Sequence, residues 1–203
     1  IPVVGIGLDS NQSRVNFENP NIKWETNTMT NVGIDFGFID NRITGTFDWF
    51  SRETVDPIFQ FDITAPGPAV GRYWRNLPAT ISNSGFEIAL MGAIIRNTDM
   101  QWNLGFNLAL LKNEVKDLVG NYETGALHGQ GITGATVQRL TSGQPLNVYY
   151  TRKFEGLDKA TVLGIYTDNE ANFYQGSPNP RQVYGITSDF TWKKLFAVIN
   201  MNG

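Results

Sequence analysis

The sequence predicts an all-β protein whose strands run antiparallel in an up-and-down order. In several segments apolar and polar residues alternate with a period of two, the pattern of a strand whose two faces meet different environments. Short polar turns join these segments in pairs, whereas long segments rich in glycine and proline separate the pairs. No segment shows a convincing helical period, so we expect about six strands arranged as three hairpins.

The first hairpin is predicted around the polar turn Asp40-Asn41-Arg42. Both flanking segments alternate, and two alternating segments joined by a short polar turn are typical of an antiparallel hairpin. Glycine, aspartate and threonine occupy the positions between the alternating residues. The residues that define the pattern are Val32, Ile34, Phe36, Phe38, Ile43, Gly45, Phe47 and Trp49.

Two further hairpins are predicted, with short turns near 97–99 and 193–194. Segment 111–118 can be interpreted either as a helical turn or two or as the end of the strand before it. The alternating residues of the second hairpin are Phe86, Ile88, Leu90, Trp102, Leu104, Phe106, Leu108 and Leu110. Those of the third are Tyr184, Ile186, Phe190, Leu195, Ala197, Ile199 and Met201.

The connections between the hairpins are much longer than the turns within them. We expect long loops at about 51–79 and 112–182, which hold most of the glycine and proline. Loops longer than about 12–15 residues are uncommon in compact soluble domains and are usually functional. Short turns at one end of the strands and long loops at the other are typical of outer-membrane β-barrels.

The predicted apolar face has the dimensions of a membrane-facing surface. It carries no charge from the first turn to Trp49, about 26 Å at ~3.3 Å per residue, near the ~25 Å apolar band of membrane barrels. A soluble β-sandwich, with one face in the core and the other in solvent, explains the alternation equally well. Aromatic side chains lie beside the short turns, namely Phe38, Trp102, Phe190 and Trp192.

Composition excludes several classes of function. The 203 residues contain no cysteine, which excludes disulfides, thiolate metal sites and cysteine nucleophiles. A formal charge of −3 argues against a nucleic-acid-binding face. The longest apolar run, 88–95, is far shorter than the ~18 residues of a membrane-spanning helix. We therefore expect no nucleic-acid partner and no helical membrane anchor.

The motifs suggestive of catalysis or cofactor binding are weak. Residues 129–134 fit G-x-G-x-x-G, but no helix follows them, so we interpret them as a flexible loop. The single histidine, His128, has no second histidine or carboxylate cluster with which to hold a metal. Residues 168–170 could bind calcium, and loop carboxylates such as Asp158, Asp168 and Glu170 could serve a hydrolase, but their spacing defines no site. We predict no enzyme activity, no cofactor and no metal.

Aromatic residues in the long loops are the best candidates for ligand contact. An aromatic face stacks on the apolar face of a sugar or on a peptide side chain, and Tyr and Trp add a polar group. Packing within the loops, or against a partner subunit, is the alternative role at each position. The predicted ligand-binding residues are Tyr73, Trp74, Tyr149, Tyr150 and Tyr174.

An ordered series of short motifs resembles the barrel of SusC/RagA-type TonB-dependent outer-membrane receptors. One of them is Asn83-Ser84-Gly85-Phe86-Glu87, which resembles the N-x-G-F-E entry to a strand in that family. The likeness extends from about Asn19 to Gly203. The other segments that carry it are 19–26, 31–37, 41–50, 102–107, 112–115, 143–146, 154–158, 179–181 and 184–185.

The resemblance implies that residues 1–203 are an interior part of a transmembrane β-barrel of about 22 strands with a plugged lumen. It also implies a Gram-negative outer-membrane location and import of oligosaccharides or peptides. A SusD-like surface lipoprotein and TonB would be the protein partners, and membrane lipid would contact residues such as Phe36, Phe47, Trp49, Trp102, Leu104, Phe106 and Trp192. The alternative function is a soluble extracellular β-sandwich that binds carbohydrate or mediates adhesion.

Overall fold

A computed structural model describes residues 15–17, 19–62, 71–127, 135–168 and 171–203, and all the regular elements there are β-strands. The strands are β1 (Val15–Phe17), β2 (Thr26–Phe38), β3 (Ile43–Val55), β4 (Ile58–Asp62), β5 (Gly71–Asn76), β6 (Thr80–Arg96), β7 (Met100–Lys116), β8 (Tyr122–Ala126), β9 (Thr136–Leu140), β10 (Val148–Thr151), β11 (Phe154–Leu157), β12 (Gly164–Tyr166), β13 (Phe173–Tyr174), β14 (Gln182–Trp192) and β15 (Leu195–Asn202).

Six long strands form one antiparallel sheet in the order β15-β14-β7-β6-β3-β2. Three hairpins, β2–β3, β6–β7 and β14–β15, supply these strands, as the alternation predicts. Strands β2 and β15 are its edges, so the sheet is open. The fold is the predicted all-β one, and its strands pair antiparallel except for β1, which pairs in parallel with β5.

The pairing register places the alternating apolar residues of all six strands on one face. Val32 lies opposite Trp49, Trp49 opposite Phe86, and Phe86 opposite Leu110. Large side chains on this face stay exposed or half-buried, and in the described part of the chain no second sheet covers them. A β-sandwich would bury this face, so the structure supports the barrel-wall interpretation. We call this surface the apolar face; it includes Ile34, Phe36, Phe47, Ile88, Leu90, Leu104, Phe106, Leu108, Ile186 and Ile199.

We call the opposite surface the polar face. There glycines lie between longer side chains, and those side chains occupy the space beside each glycine. Gly85 is buried, and a Cβ on it would collide with the carbonyl oxygen of Leu110 and lie 3.0 Å from the ring of Phe50. A Cβ on Gly105 would lie 2.8 Å from the sulfur of Met91. Glycine therefore lets these neighbouring side chains lie flat against the sheet.

The segments predicted as long loops contain short strands and the ends of two long ones. Strand β3 continues to Val55 and β7 to Lys116, so segment 111–118 finishes a strand and is not a helical turn. The remaining strands form small sheets in the orders β1-β5-β4, β13-β10-β9-β8 and β11-β12. Alternation over so few residues is too weak to distinguish such strands from loops.

The buried core lies at the loop end of the long sheet. Val115, which follows the register of the polar face, is fully buried and packs with residues contributed by the loop segments. This core fixes the β1-β5-β4 and β13-β10-β9-β8 sheets against the end of β7. Its buried members are Leu77, Ala79, Val115, Leu118 and Leu140, and Phe59, Phe61, Tyr122 and Leu146 pack around them.

Candidate functional site: loop aromatics above a two-faced sheet

Two of the five predicted ligand-binding residues meet in the four-stranded loop sheet. Tyr150 of β10 pairs with Tyr174 of β13, and their ring centres are 4.9 Å apart. The guanidinium carbon of Arg139 lies 3.5 Å from the centre of the Tyr150 ring. Tyr174 is largely exposed, so its ring remains available to a ligand, whereas Arg139 covers one face of Tyr150.

Arg139 is held in place by a carboxylate. Its Nη2 and Nε donate hydrogen bonds of 2.6 and 2.9 Å to Oε1 of Glu123 on the neighbouring strand β8. Desolvation opposes the charge on Arg139, but hydrogen bonds to Glu123 and Tyr174 outweigh it and raise the pKa of the guanidinium. The sequence prediction named aromatic residues only and missed this pair, because strands β8 and β9 are too short for alternation to reveal them.

Tyr73 belongs to an internal aromatic cluster and not to an open surface. Its ring centre is 5.7 Å from that of Phe61, which in turn lies 5.4 Å from the Tyr122 ring. The guanidinium carbon of Arg75 stacks 4.2 Å from the Phe61 ring centre, and its Nη2 donates a 3.3 Å hydrogen bond to the Tyr122 hydroxyl. This cluster joins the β4–β5 hairpin to β8.

Trp74 and Tyr149 are the predicted residues that point away from these clusters. Both side chains are exposed, and the Trp74 carbonyl oxygen accepts a 2.9 Å hydrogen bond from the side chain of Asn19. Tyr149 is fixed through its backbone, which exchanges hydrogen bonds with Gln175 and Gly176. The structure thus brings Tyr150 and Tyr174 together, and leaves Trp74 and Tyr149 at separate positions.

A cleft opens where the long sheet meets the loops. It has a volume of about 880 Å³, within the usual size range of ligand pockets. Phe50 and Leu111 supply its apolar floor, whereas neutral polar side chains and two prolines form most of its rim. The rim includes Asn83, Ser84, Asn113, Gln144, Pro145, Ser177, Asn179 and Pro180, and the charged Lys112, Glu114 and Arg181 also line the cleft. Sequence reasoning missed this cleft because it combines residues from β6, β7 and two loops.

The described residues form no binding site around the candidate metal and nucleotide motifs. Within the described ranges, no three His, Cys, Asp or Glu side chains gather where they could hold a metal ion. His128, the 129–134 glycine motif and Glu170 lie outside the described residues. In the residues that the structure describes, no helix is long and apolar enough to cross a membrane.

The apolar face ends in different residue types at its two limits. Beyond Leu110, β7 continues with Lys112 and Glu114, which form a 2.7 Å ion pair, and Lys116 pairs with Glu53 at 3.0 Å. At the opposite limit, beside the short turns, Trp102 donates a 3.0 Å hydrogen bond from its indole N–H to the hydroxyl of Ser188. An uncharged band thus runs between an aromatic rim and a charged rim, as in membrane-spanning strands.

Comparison with known proteins identifies the family. The family model described as TonB dependent receptor-like, beta-barrel, matches residues 4–198. The chain belongs to the TonB-dependent receptor β-barrel family. The resemblance seen in the sequence is therefore confirmed, and the exposed apolar face is the outer surface expected of strands in such a barrel.

Named relatives agree with this family. The chain is 33% identical over 198 residues to the TonB-dependent receptor SusC of Bacteroides thetaiotaomicron, covering 90% of this chain and 20% of that protein. It is 26% identical over 192 residues to the TonB-dependent receptor P3 of Formosa agariphila, covering 92% of this chain and 17% of that protein. The chain therefore spans about a fifth of the length of these receptors.

A solved structure shares the fold. The structure of the RagAB peptide transporter superposes with a TM-score of 0.72 at 20% identity, covering 91% of this chain and 21% of that chain. At this identity the superposition supports the fold alone. The six-stranded sheet and its loop strands are thus part of an established barrel architecture.

Proposed function

We propose that this chain forms part of the transmembrane wall of a transporter that imports oligosaccharides or peptides across a Gram-negative outer membrane. The observation that carries the proposal is the two-faced sheet, with a continuous apolar face on one side and the polar face on the other. SusC-type and RagA-type relatives support the transport role. The protein has no catalytic role in this proposal.

Lipid would contact the apolar face between its aromatic and charged rims. Phe36, Phe47 and Phe106 lie within this band, and Trp102 and Trp192 lie near the short turns. Because the Trp102 indole donates to Ser188, neither polar group is left unpaired on that face. The polar face would line the interior of the barrel.

The partners proposed for the whole receptor follow from its family. A SusD-like surface lipoprotein would meet the long-loop end of the strands, and TonB would supply the energy for import. The loops would form the vestibule through which a ligand enters. We propose that the loop aromatics Tyr73, Trp74, Tyr149, Tyr150 and Tyr174 form the ligand-binding region. Trp74, Tyr149 and Tyr174 would contact the ligand directly. Tyr73 and Tyr150 would position the loops.

The transport role can be tested by deleting the gene for the full-length receptor. We expect the deletion strain to lose growth on one class of nutrient, an oligosaccharide or a peptide mixture, when that class is the sole carbon source. Inactivation of TonB in the parent strain should cause the same loss. Unchanged growth of the deletion strain on both classes would contradict the proposal.

The ligand-binding role of the loop aromatics has its own test. Trp74→Ala, Tyr149→Ala and Tyr174→Ala should each weaken binding of the imported nutrient to the purified receptor, by about tenfold where a ring stacks on the ligand. Trp192→Ala, at the opposite end of the sheet, is the control and should leave the affinity unchanged. Equal affinities for all four variants would contradict the assignment.

A further inference from the structure

Within the described residues, the part of β7 beyond Leu110 has an edge that no strand covers. Strand β14 pairs with β7 only as far as Leu110, which lies opposite Gln182. Beyond that point, loop residues take over the pairing: Leu111 donates its N–H to Arg181, and Val115 donates to Gln144 and accepts from Gly143, at 2.8–2.9 Å. The loops thus replace a neighbouring strand on both sides of one residue.

That residue is Asn113, whose backbone faces the same edge as Leu111 and Val115 because neighbouring residues of a strand point their N–H groups in opposite directions. Among the described residues, neither its N–H nor its C=O has a backbone partner on this edge. An unpaired backbone donor and acceptor are an exposed template for pairing with another chain.

The side chain of Asn113 does not satisfy this backbone. Its Nδ2 donates a 2.7 Å hydrogen bond to Oδ1 of Asn83, and its Oδ1 accepts a 2.6 Å hydrogen bond from the N–H of Leu146. These two bonds hold the side chain on the polar-face side. They leave the backbone of Asn113 facing the cleft described above.

Two loop segments form the walls of the cleft beside Asn113. Gln144 to Leu146 form one wall, and Ser177 to Arg181 form the other. Most of these side chains are neutral amides, hydroxyls and prolines, and the charged Lys112, Glu114 and Arg181 also line the cleft. An extended peptide presents an N–H and a C=O on the same side of one residue, the arrangement complementary to Asn113.

We propose that this cleft binds an extended peptide by strand addition, with one residue of the peptide pairing to the backbone of Asn113 between Arg181 and Gln144. The inference rests on the proposed transport function and names peptide as the substrate class at this site. The main chain would supply the affinity, and the neutral and charged side chains of the walls would contact the side chains of the peptide.

The test uses the full-length receptor, purified in detergent, and a capped peptide of alternating alanine and serine as the probe. Asn113→Pro removes the unpaired N–H, and Asn113→Ala, the matched control, removes the same side chain but keeps that N–H. We expect the proline variant to bind the peptide about tenfold more weakly than the alanine variant. Heat-modifiable migration in gels verifies that both variants are folded.

A second measurement does not depend on the variants folding. The same peptide is N-methylated at one backbone position at a time and titrated against the unmodified receptor. Methylation at the residue opposite Asn113 should weaken binding at least as much as the proline substitution, whereas methylation at its two neighbours should have little effect. Equal binding of all methylated peptides would overturn the proposal.

The outcomes separate this inference from the transport proposal. Binding of a maltooligosaccharide, with no binding of the peptide, would overturn the peptide site and leave nutrient import intact. Peptide binding with the expected variant pattern, in a receptor whose deletion alters growth on no nutrient, would support the site and contradict import. Equal peptide affinity in the folded proline and alanine variants would overturn the strand-addition mode.

Discussion

Arg139 lies 3.5 Å above the ring of Tyr150 while the carboxylate of Glu123 holds its guanidinium from the side. One cation thus ties together β8, β9 and β10, three strands of a small sheet in the loop region. This relationship determines which rings a ligand can reach, because a ring covered by Arg139 offers only its other face. The packing of this small sheet therefore depends on the contacts of Arg139 with side chains from two other strands.

Replacing Arg139 by alanine should loosen this sheet. Loss of the cation–π contact and the ion pair should cost about 1 kcal/mol of local stability, because the ion pair is partly exposed. Amide hydrogen exchange of 136–151 should then accelerate about fivefold. Lys159→Ala, on the neighbouring loop, is the control. Unchanged exchange in Arg139→Ala would show that the cation does not stabilise the sheet.

Replacing Gly85 by alanine should lower the stability of the receptor. A Cβ there meets the carbonyl oxygen of Leu110 and the ring of Phe50, so one strand must move away from the next. We expect Gly85→Ala to lower the free energy of unfolding of the receptor by about 1–3 kcal/mol, measured by urea denaturation.

Gly92→Ala is the matched control for Gly85 because it lies in the same strand. The nearest atom to a Cβ at Gly92 is Cδ1 of Ile94 at 3.5 Å, an ordinary van der Waals contact. Its stability should stay within about 0.5 kcal/mol of the unmodified receptor. Equal losses at Gly85 and Gly92 would indicate that the polar face is not as closely packed as described.

Adjacent residues of β7 should report opposite environments. Phe106 lies on the apolar face and Asn107 on the polar face. In a receptor otherwise free of cysteine, Phe106→Cys carrying a fluorophore should be quenched by lipids labelled in their acyl chains. The same fluorophore at Asn107→Cys should be insensitive to these lipids. Quenching at Asn107 and not at Phe106 would reverse the assignment of the two faces.

The turn between β11 and β12 should lose order in acid. Oδ1 of Asp158 accepts hydrogen bonds from the N–H groups of Ala160 and Thr161 and from the Thr161 hydroxyl, and the bonds from Thr161 are the main cause of its lowered pKa. A lowered pKa means that the carboxylate stabilises the turn above its ordinary value of 3.8 and loses this effect as the pH falls through the folded-state pKa.

Hydrogen exchange of Ala160 and Thr161 measures this acid response. The ratio of their exchange rates to those of Asp158→Asn, taken at each pH, cancels the intrinsic pH dependence of exchange. The ratio should show more protection in the unmodified protein above pH 3.8 and progressively less of this advantage as the pH falls below it, because the asparagine has no proton to gain. A ratio independent of pH would contradict a role for the ionised carboxylate.

Local alternation was sufficient to predict the six long strands and their faces. Each residue from Val32 to Phe38 points to the side opposite its neighbour whatever the strand pairs with, so the pattern is readable without the partner. The turn at Asp40-Asn41-Arg42 was predictable for a similar local reason: Asp and Asn tolerate the left-handed backbone that both adopt here. The family resemblance then distinguished a barrel wall from a sandwich.

The roles of the loop aromatics could not be obtained in the same way. Tyr73 and Trp74 are adjacent in the sequence, yet Tyr73 packs against Phe61 while Trp74 is exposed. The environment of each ring depends on residues brought in from distant segments, such as Arg139 beside Tyr150. Short strands also carry too few residues for alternation to reveal them, so β8 to β13 were expected as loop.

The sequence by itself determined the fold class, the two faces of the sheet and the membership of a receptor family, because period-two alternation and short motifs are properties of consecutive residues. Only the tertiary structure decided that β7 continues beyond its neighbour β14 and that, among the described residues, the backbone of Asn113 has no backbone partner on that edge. That outcome depends on where two loops, separated along the chain, meet one strand edge. Hydrogen-bond pairing between distant segments is a property of their arrangement in space, which no local pattern records.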